Sequence, residues 1–226
     1  SVYGKPVVPH SGYIVELNAL WYNALKFVAH LAEKRNDVET IARMEKKAEE
    51  VRRAFQEIFV NESGYLWDYV DNDIPNVEVR PNMVFAVALD FSPLDRDQQK
   101  SVLDFCTREL LTTKGLRSLT PKSGSYNPLY VGTQNQRDWA YHQGTAWPWL
   151  GCFYMEAMLK VHKRSRLSFI YRQMVGFEDE MYYHAIGTMP ELFDGNPPFS
   201  GRGACAFAMN VAALLRMSKL LESYTY

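Results

Sequence analysis

Apolar side chains recur every three or four residues over long stretches of this chain, and this spacing constrains its fold more than any other feature. Between positions 14 and 31 one face of a predicted helix carries Leu17, Trp21, Ala24, Val28 and Leu31, and is widened by Leu20 and Phe27. A second helix is predicted from Asn36, an N-cap with Glu39 three residues later, to Ile58. Because only a short connection separates the two helices, we expect an antiparallel hairpin.

Further helices are predicted along the rest of the chain. The segment 82–91 is almost wholly apolar and is expected to be buried on every side. Ser92-Pro93 supplies an N-cap and a proline at the first helical position for a helix that ends near Gly115. Three more helices are predicted at 146–162, 167–183 and 203–223. Strand patterns are limited to short pieces such as 65–70, so the predicted class is all-α.

Three long connections interrupt the helical pattern, at 61–81, 116–144 and 185–201. Each is longer than roughly 12 to 15 residues, and loops of that length in a compact domain usually have a function of their own. All three combine aromatic residues with polar ones. We therefore predict that they form one working face of the protein.

Charge and cysteine content exclude several classes of protein. The 25 Lys and Arg residues nearly balance the 26 Asp and Glu residues, whereas nucleic-acid binding usually needs a basic excess. The sequence shows no run of about 18 apolar residues and no leader pattern, so we expect neither a nucleic-acid nor a membrane partner. Three widely spaced cysteines favour reduced thiols and a cytoplasmic location. The five histidines lack metal-ligand spacing, so no metal site is predicted.

Glu191 is the candidate for acid–base chemistry. It lies in the segment Gly187-Thr-Met-Pro-Glu-Leu-Phe-Asp-Gly195, among apolar residues and prolines that a solvated surface carboxylate would not need. A carboxylate on a fixed, partly buried loop suits a general base, because its position and surroundings set its reach and its proton affinity. The alternative is structural: this carboxylate could cap a helix or pair with Arg202.

The segment Tyr141-His-Gln-Gly-Thr-Ala-Trp-Pro-Trp149 combines three aromatic residues with polar neighbours. Such a surface suits a pyranose, whose C–H face stacks on a ring while its hydroxyl groups form hydrogen bonds. Trp147 and Trp149 could instead anchor the next helix in the core, and for at least one of them that interpretation is favoured. Trp67 and Arg80 leave the same two interpretations open. Together the loops favour a carbohydrate ligand.

Four parts of the sequence together resemble a known family. They are Val15-Glu-Leu-Asn-Ala-Leu-Trp-Tyr-Asn23, Arg80-Pro-Asn82, the segment 141–149, and Pro190-Glu-Leu-Phe-Asp-Gly195 followed by Gly201-Arg-Gly203. In this order, and over essentially the whole chain, they are similar to the C-terminal glucosidase region of glycogen debranching enzymes. The Tyr-His-Gln-Gly and Pro-Glu-Leu-Phe-Asp-Gly segments are specific, whereas Arg-Pro-Asn alone would not be.

The resemblance implies an (α/α)6 barrel and amylo-α-1,6-glucosidase activity on glycogen or a branched α-glucan oligosaccharide. It further implies inversion at the anomeric carbon and no metal or organic cofactor. It assigns the general base to Glu191. Within the matched segments, Glu16, Arg80, Tyr141, His142, Trp147 and Asp194 are expected to bind substrate, and Trp67 of the aromatic-rich loop is expected to do so as well.

The resemblance places the general acid outside these residues. The acid is expected in a Trp-Met-Asp motif upstream of the segment 1–9, and the sequence contains no such motif. About seven helices are predicted, where a complete barrel has twelve. We therefore expect residues 1–226 to be the C-terminal part of a single barrel domain, with the upstream part of the same polypeptide as its partner. Two alternatives remain open: a carbohydrate-binding or scaffold fragment without catalysis, and a helical interaction module.

Overall fold

The computed structural model describes residues 2–225, and the chain divides into two compact units. One unit spans His10–Phe105, and we call it the hairpin unit. The other contains Ser1–Pro9 and Cys106–Tyr226, and we call it the Glu191 unit. Each unit has buried apolar residues and a small antiparallel sheet of its own.

The hairpin unit is mainly helical. Its elements in chain order are β1 (Tyr13–Ile14), α1 (Val15–Glu33), α2 (Val38–Phe59), β2 (Tyr69–Asp71), β3 (Ile74–Pro75), a 3-10 turn (Pro81–Val84), α3 (Phe85–Ala88) and α4 (Arg96–Phe105). The strands pair in the order β1-β2-β3, with Tyr13 opposite Val70 and Val70 opposite Pro75. The Val15 N–H also donates to the Asp68 carbonyl at 3.1 Å. The start of α1 is therefore tied to the loop that carries Asp68.

Helices α1 and α2 form the hairpin that the sequence predicts. Tyr22 and Leu25 of α1 pack with Ala48 of α2 in one core cluster. Near them, Lys26 Nζ lies 2.6 Å from Glu45 Oε1. Residues in the first half of α2 thus face residues in the middle of α1, as antiparallel helices joined by a short turn require.

The start of α2 differs from the prediction by one residue. Its N-cap is Asp37 and not Asn36, because the Thr40 N–H donates to Asp37 Oδ1 at 3.0 Å. Asn36 has a φ of +56°, in the left-handed region that asparagine enters more readily than most residues. It therefore closes the turn between the helices instead of capping the second one.

Helix α1 is apolar on two faces, and only one of them is packed. The packed face consists of Val15, Ala19, Tyr22, Leu25, Ala29 and Ala32. The face that the sequence pattern selected is exposed: Leu17, Leu20, Trp21, Phe27, Val28 and Leu31 are each between 41% and 57% exposed. We call this exposed face the α1 stripe. Periodicity identified the stripe correctly but carries no information on what covers it.

The third and fourth predicted helices are shorter than expected. The apolar segment forms the 3-10 turn and α3 and is buried as predicted, with Met83, Val84, Ala86, Val87 and Ala88 at most 2% exposed. Helix α4 begins at Arg96, not beside Ser92. The reason is that Asp95 Oδ1 accepts hydrogen bonds from the N–H groups of Asp97 and Gln98, which caps the helix there.

The Glu191 unit combines helices with a five-stranded sheet. Its elements in chain order are a π-helical turn (Cys106–Leu110), β4 (Leu111–Thr112), β5 (Gly115–Arg117), α5 (Gln134–Ala140), β6 (Ala146–Trp147), α6 (Pro148–His162), a 3-10 turn (Lys163–Arg166), α7 (Leu167–Val175), α8 (Glu180–Tyr183), β7 (Leu192–Phe193), β8 (Gly201–Arg202) and α9 (Ala208–Thr225). The antiparallel strands follow the order β4-β5-β6-β7-β8. None is longer than three residues, so no alternating pattern marks them in the sequence.

Several helix boundaries in this unit differ from the predictions. Helix α5 was expected to be loop, although Thr133 and Gln136 form a capping box at its start. The segment predicted as one helix over 167–183 is two, α7 and α8, because α7 ends at Val175 with Gly176 as its C-cap. Helix α9 begins at Ala208, five residues later than predicted, because Gly203 has a φ of +75° that a helix does not allow.

Helix α6 is buried along most of its length and forms the centre of this unit's core. Burial raises the pKa of the Cys152 thiol within it to about 12, and does the same for Cys106. Both are free thiols, as predicted, and Cys205 is free and exposed. Among residues 2–225, no helix combines the length and the apolar character needed to cross a membrane.

Candidate active site

The sheet of the Glu191 unit brings three of the matched segments together. Strand β6 pairs with β7, with Ala146 opposite Phe193, and β7 pairs with β8, with Phe193 opposite Gly201. The segments that become neighbours are 141–149, 190–195 and 201–203. A candidate site is therefore assembled here from segments of which the first and the last are more than 50 residues apart in sequence.

Glu191 lies immediately before β7 and is half-buried. The Tyr141 hydroxyl donates to its Oε1, and the Ala204 N–H donates to its Oε2 at 3.0 Å. Gly203 is packed against the same carboxylate, where a Cβ would lie 2.5 Å from Oε2. Each carboxylate oxygen thus has one protein donor. Because a carboxylate oxygen can accept more than one hydrogen bond, both can also accept one from water.

A buried asparagine that the sequence analysis missed fixes the backbone at Glu191. Asn210 of α9 is 0% exposed. Its Nδ2 donates to the carbonyls of Pro190 and Glu191, at 2.7 and 2.9 Å, and its Oδ1 accepts from the Trp149 N–H at 3.2 Å. The signal was present in the sequence, because a lone asparagine inside an apolar helix must find hydrogen-bond partners when it is buried.

Three other rings surround the ring of Tyr141. The centroids of His142, Trp147 and Tyr130 lie 4.6, 5.0 and 5.7 Å from its own. Burial raises the pKa of the Tyr141 hydroxyl, and the Glu191 carboxylate raises it further. The hydroxyl therefore keeps its proton and acts as a donor to Glu191.

The aromatic residues of this segment differ in what they offer to a ligand. Trp147 is 5% exposed, and its indole N–H donates to Thr145 Oγ1 at 3.0 Å. The Thr145 hydroxyl in turn donates to the Tyr141 carbonyl at 2.7 Å. Trp147 therefore has the core position that was its alternative interpretation, whereas His142 is exposed and Tyr141 half-buried.

Asp194 holds the loop that follows Glu191. It is 2% exposed, and both of its carboxylate oxygens accept from the protein. Oδ1 accepts from the Tyr130 N–H at 2.8 Å, and Oδ2 accepts from Arg202 Nε and Nη2 at 3.0 and 2.9 Å. Arg202 therefore pairs with Asp194, and the alternative that placed it on Glu191 is wrong.

The remaining predicted positions lie in the hairpin unit: Glu16, Trp67 and Arg80. The Asn82 amide joins two carboxylates there, with Nδ2 lying 3.2 Å from Glu16 Oε1 and 3.4 Å from Asp68 Oδ1. Arg80 is 6% exposed and donates from Nη2 to Glu78 Oε2 at 2.5 Å. Its Nε lies 3.9 Å from Asp68. We call the connected residues the Asp68 cluster; they are His10, Glu16, Asp68, Glu78, Arg80 and Asn82.

Two groups in the Asp68 cluster have shifted proton affinities. His10 Nε2 lies 2.7 Å from Asp68 Oδ2, and this hydrogen bond raises the pKa of the imidazole. Burial raises the pKa of Glu16, whose Oε2 has no hydrogen-bond partner among the described residues. The cluster therefore consists of polar groups that are largely bonded to one another, with one buried carboxylate oxygen left over. The sequence carried no signal for His10, because it lies outside all four segments that resemble the family.

The predicted site residues thus form two groups. Glu191, Tyr141, His142, Trp147 and Asp194 lie together in the Glu191 unit, whereas Glu16, Trp67 and Arg80 lie in the hairpin unit. That the long loops form one working face stays a prediction. Within residues 2–225, no three His, Cys, Asp or Glu side chains are grouped in a way that could hold a metal ion.

Comparison with known proteins gives one family match and one clear sequence relative. The family model described as amylo-alpha-1,6-glucosidase matches residues 1–216. Glycogen debranching enzyme from Saccharomyces cerevisiae is 25% identical over 239 aligned residues. The alignment covers 84% of this chain and 15% of that enzyme, so the chain spans a small part of the length of this relative.

Solved structures of glycoside hydrolases share the fold. A mannosylglycerate hydrolase from Thermus thermophilus matches with a TM-score of 0.62 at 15% identity, covering 91% of this chain and 45% of that one. Neutral trehalase from Saccharomyces cerevisiae matches with a TM-score of 0.64 at 18% identity, covering 90% and 37%. A mostly helical fold of the (α/α)6 barrel type is therefore confirmed.

Proposed function

The chain belongs to the amylo-alpha-1,6-glucosidase family, and on that basis we propose that it carries the general base for hydrolysis of α-1,6-glucosidic branch points in glycogen or a related α-glucan. The observation that carries the proposal is the setting of Glu191. Its carboxylate is half-buried, is oriented by a donor on each oxygen, and lies where three separate sequence segments meet. A general base needs this combination of fixed position and access for water.

In the proposed reaction Glu191 takes a proton from a water molecule as the water oxygen attacks the anomeric carbon. The bond from that carbon to the branch-point oxygen breaks, and a second carboxyl group protonates the departing oxygen. The configuration inverts because water attacks from the face opposite the leaving group, which requires the two carboxyl groups to be roughly 6.5 to 9.5 Å apart. We expect the second group in the upstream part of the same polypeptide.

Substrate contacts are proposed in both units. His142 and the open side of Tyr141 would face the sugar next to Glu191. In the hairpin unit, Glu16, Trp67 and Arg80 would bind further hydroxyl groups, in keeping with the polar character of the Asp68 cluster. Asp194 and Trp147 would support the site from behind, since their polar atoms are already bonded within the protein.

We further propose that residues 1–226 are the C-terminal part of one barrel domain, that the protein acts in the cytoplasm without a cofactor, and that it has no nucleic-acid or membrane partner. A fragment that binds branched glucans without hydrolysing them is the second candidate. It is favoured by the limited span of the chain, which matches only 15% of the yeast enzyme.

The decisive experiment replaces Glu191 by Gln in a protein that joins this chain to the upstream segment. Gln keeps the shape of the side chain but does not accept a proton, so turnover of an α-1,6-glucosylated maltooligosaccharide should fall by about 10²- to 10⁴-fold with little change in substrate affinity. The matched control is Glu222→Gln, at an exposed position on α9, which should retain full turnover.

Glu191→Ala with added azide shows from which face of the sugar the nucleophile attacks the anomeric carbon. Azide fits the space that the carboxylate leaves and should restore turnover, with a β-glucosyl azide as product. Near wild-type hydrolysis by Glu191→Gln would show that the base lies elsewhere. Binding without hydrolysis by the unaltered joined protein would favour the second candidate.

A further inference from the structure

The surroundings of Tyr141 assign it a more specific role than sugar contact. Its hydroxyl is bonded to Oε1 of Glu191, and its ring is bounded by His142, Trp147 and Tyr130. The backbone of the same residue is held as well, because Thr145 donates to its carbonyl. Ring, hydroxyl and main chain of Tyr141 are therefore all fixed by the protein itself.

We propose that Tyr141 is a positioning residue for Glu191, one that fixes the rotation of the carboxylate so that one lone pair faces the attacking water. The inference rests on the proposed function, since it assumes that Glu191 is the base. It differs from the expectation that Tyr141 serves chiefly as a ring on which a sugar stacks.

The geometry supports positioning because the carboxylate has two points of attachment. A carboxylate bonded at one oxygen can still rotate about its terminal carbon–carbon bond. Here the Ala204 N–H holds Oε2 and the Tyr141 hydroxyl holds Oε1, from two different segments of the chain. Rotation would break both hydrogen bonds, and bonds to charged groups contribute about 1.5–3 kcal/mol each.

Gly203 closes the third side of the carboxylate. A Cβ at this position would lie 2.5 Å from Oε2 and 2.8 Å from the Glu191 Cβ, so a larger residue would push the side chain away. Asn210 fixes the main chain beneath it by binding the Glu191 carbonyl. Three parts of Glu191 are thus fixed without Tyr141: its main chain, its Oε2 and the side that packs on Gly203. The remaining oxygen, Oε1, decides the final orientation of the carboxylate, and its donor is Tyr141.

Stacking and positioning make opposite predictions for removal of the hydroxyl alone. Tyr141→Phe keeps the ring, so a stacking role predicts little change. A positioning role predicts that turnover falls by about 10- to 100-fold, the equivalent of one lost hydrogen bond to a charged group, while the Michaelis constant changes less than threefold. Tyr182→Phe, at a position 77% exposed, is the matched control and should behave as the unaltered protein.

A double-mutant cycle separates positioning from a general effect on the site. The change Tyr141→Phe is made again in Glu191→Ala, and the azide-dependent reaction is measured. If Tyr141 acts only through Glu191, its hydroxyl has nothing to orient in this background, so the second change should alter the azide reaction less than twofold. A loss of tenfold or more there would mean that Tyr141 acts on the sugar or on the fold, and would overturn the proposal.

The outcome for the proposed function is distinguishable. If Glu191→Gln abolishes turnover while Tyr141→Phe leaves it within twofold, Glu191 remains the base and the role of Tyr141 is wrong. If Glu191→Gln is active, both fail. If Tyr141→Phe does not fold, 3-fluorotyrosine at position 141 keeps the shape of the side chain and changes the strength of its hydroxyl as a donor. The same cycle is then measured with this residue. The proposal requires turnover to change in the protein that contains Glu191 and the azide reaction of Glu191→Ala to stay constant.

Discussion

The two groups of site residues use carboxylates in different ways. In the Glu191 unit, Glu191 has a donor on each oxygen and a main chain held by Asn210. In the hairpin unit, Glu16 accepts a long hydrogen bond from Asn82 and has a buried oxygen that no group in residues 2–225 contacts by a hydrogen bond, and its pKa is raised by burial. The same side chain is therefore oriented in one place and left incompletely bonded in the other. The contrast indicates that neighbouring donors, more than residue type, decide whether a glutamate is oriented for chemistry.

The largest expected effect on stability comes from the asparagines of the two groups. Asn210→Ala removes the three hydrogen bonds that the buried amide makes with the carbonyls of Pro190 and Glu191 and with the Trp149 N–H, and a buried polar group that loses its partner costs about 1–3 kcal/mol. The free energy of unfolding in urea should therefore fall by about 3 kcal/mol or more. Asn82→Ala removes only two long hydrogen bonds and should cost about 1 kcal/mol. Equal losses would remove the contrast between the two groups.

A smaller effect is expected at Asp194. Asp194→Asn removes the charge that faces Arg202, and should lower the free energy of unfolding by about 2 kcal/mol. Since the loop after Glu191 would loosen, we expect the Michaelis constant to rise more than turnover falls. Asp97→Asn in the hairpin unit is the control, because its side chain is 91% exposed and its ion pair should contribute nothing measurable. A turnover loss as large as that of Glu191→Gln would instead give Asp194 a direct part in the chemistry.

The smallest effect is a pH dependence at Glu16. A raised pKa in the folded state means that folding favours the protonated form, so this stabilisation is complete below about pH 4.5 and is lost as the pH rises through the folded-state pKa. Glu16→Gln cannot ionise and escapes that loss. The melting temperature of Glu16→Gln minus that of the unaltered protein should therefore increase as the pH is raised from 4 to 7. A difference that stays constant over this range would show that Glu16 is not held away from its charged form.

His10 adds a second pH dependence to the same measurement. The pKa of His10 is also raised, so its contribution to stability is complete below about pH 6.5 and is lost at higher pH. Its loss has the same sign as that of Glu16 but begins two pH units higher. Repeating the series in His10→Gln separates the two contributions.

The sequence was informative wherever one residue type dictates local structure. Helical spacing found α1 and α2, and the motif around Glu191 selected a residue whose carboxylate the fold holds at both oxygens. The short strands β6, β7 and β8 were out of reach, since a two-residue strand is defined by its partners and leaves no pattern of its own. The cap at Asp37 was missed by one residue, because Asn and Asp compete for that role and only the φ of Asn36 distinguishes them.

Contacts between distant segments explain most of the remaining differences. Nothing in the sequence indicates that Asp194 rather than Glu191 receives Arg202, because both carboxylates lie within eleven residues of it. Nor does spacing reveal that Tyr141 donates to Glu191 across fifty positions. Asn210 is the exception, since its place among apolar residues of α9 could have been noticed.

The α1 stripe has a consequence for the life of the chain in a cell. During synthesis α1 emerges before α2, and closing the hairpin covers the alanine-rich face and leaves the stripe open. Molecular chaperones recognise apolar surface that a folding chain exposes. A folded hairpin unit therefore still exposes the kind of apolar surface that marks incompletely folded chains. Until another surface covers the α1 stripe, we expect chaperones to bind this helix although it is correctly folded.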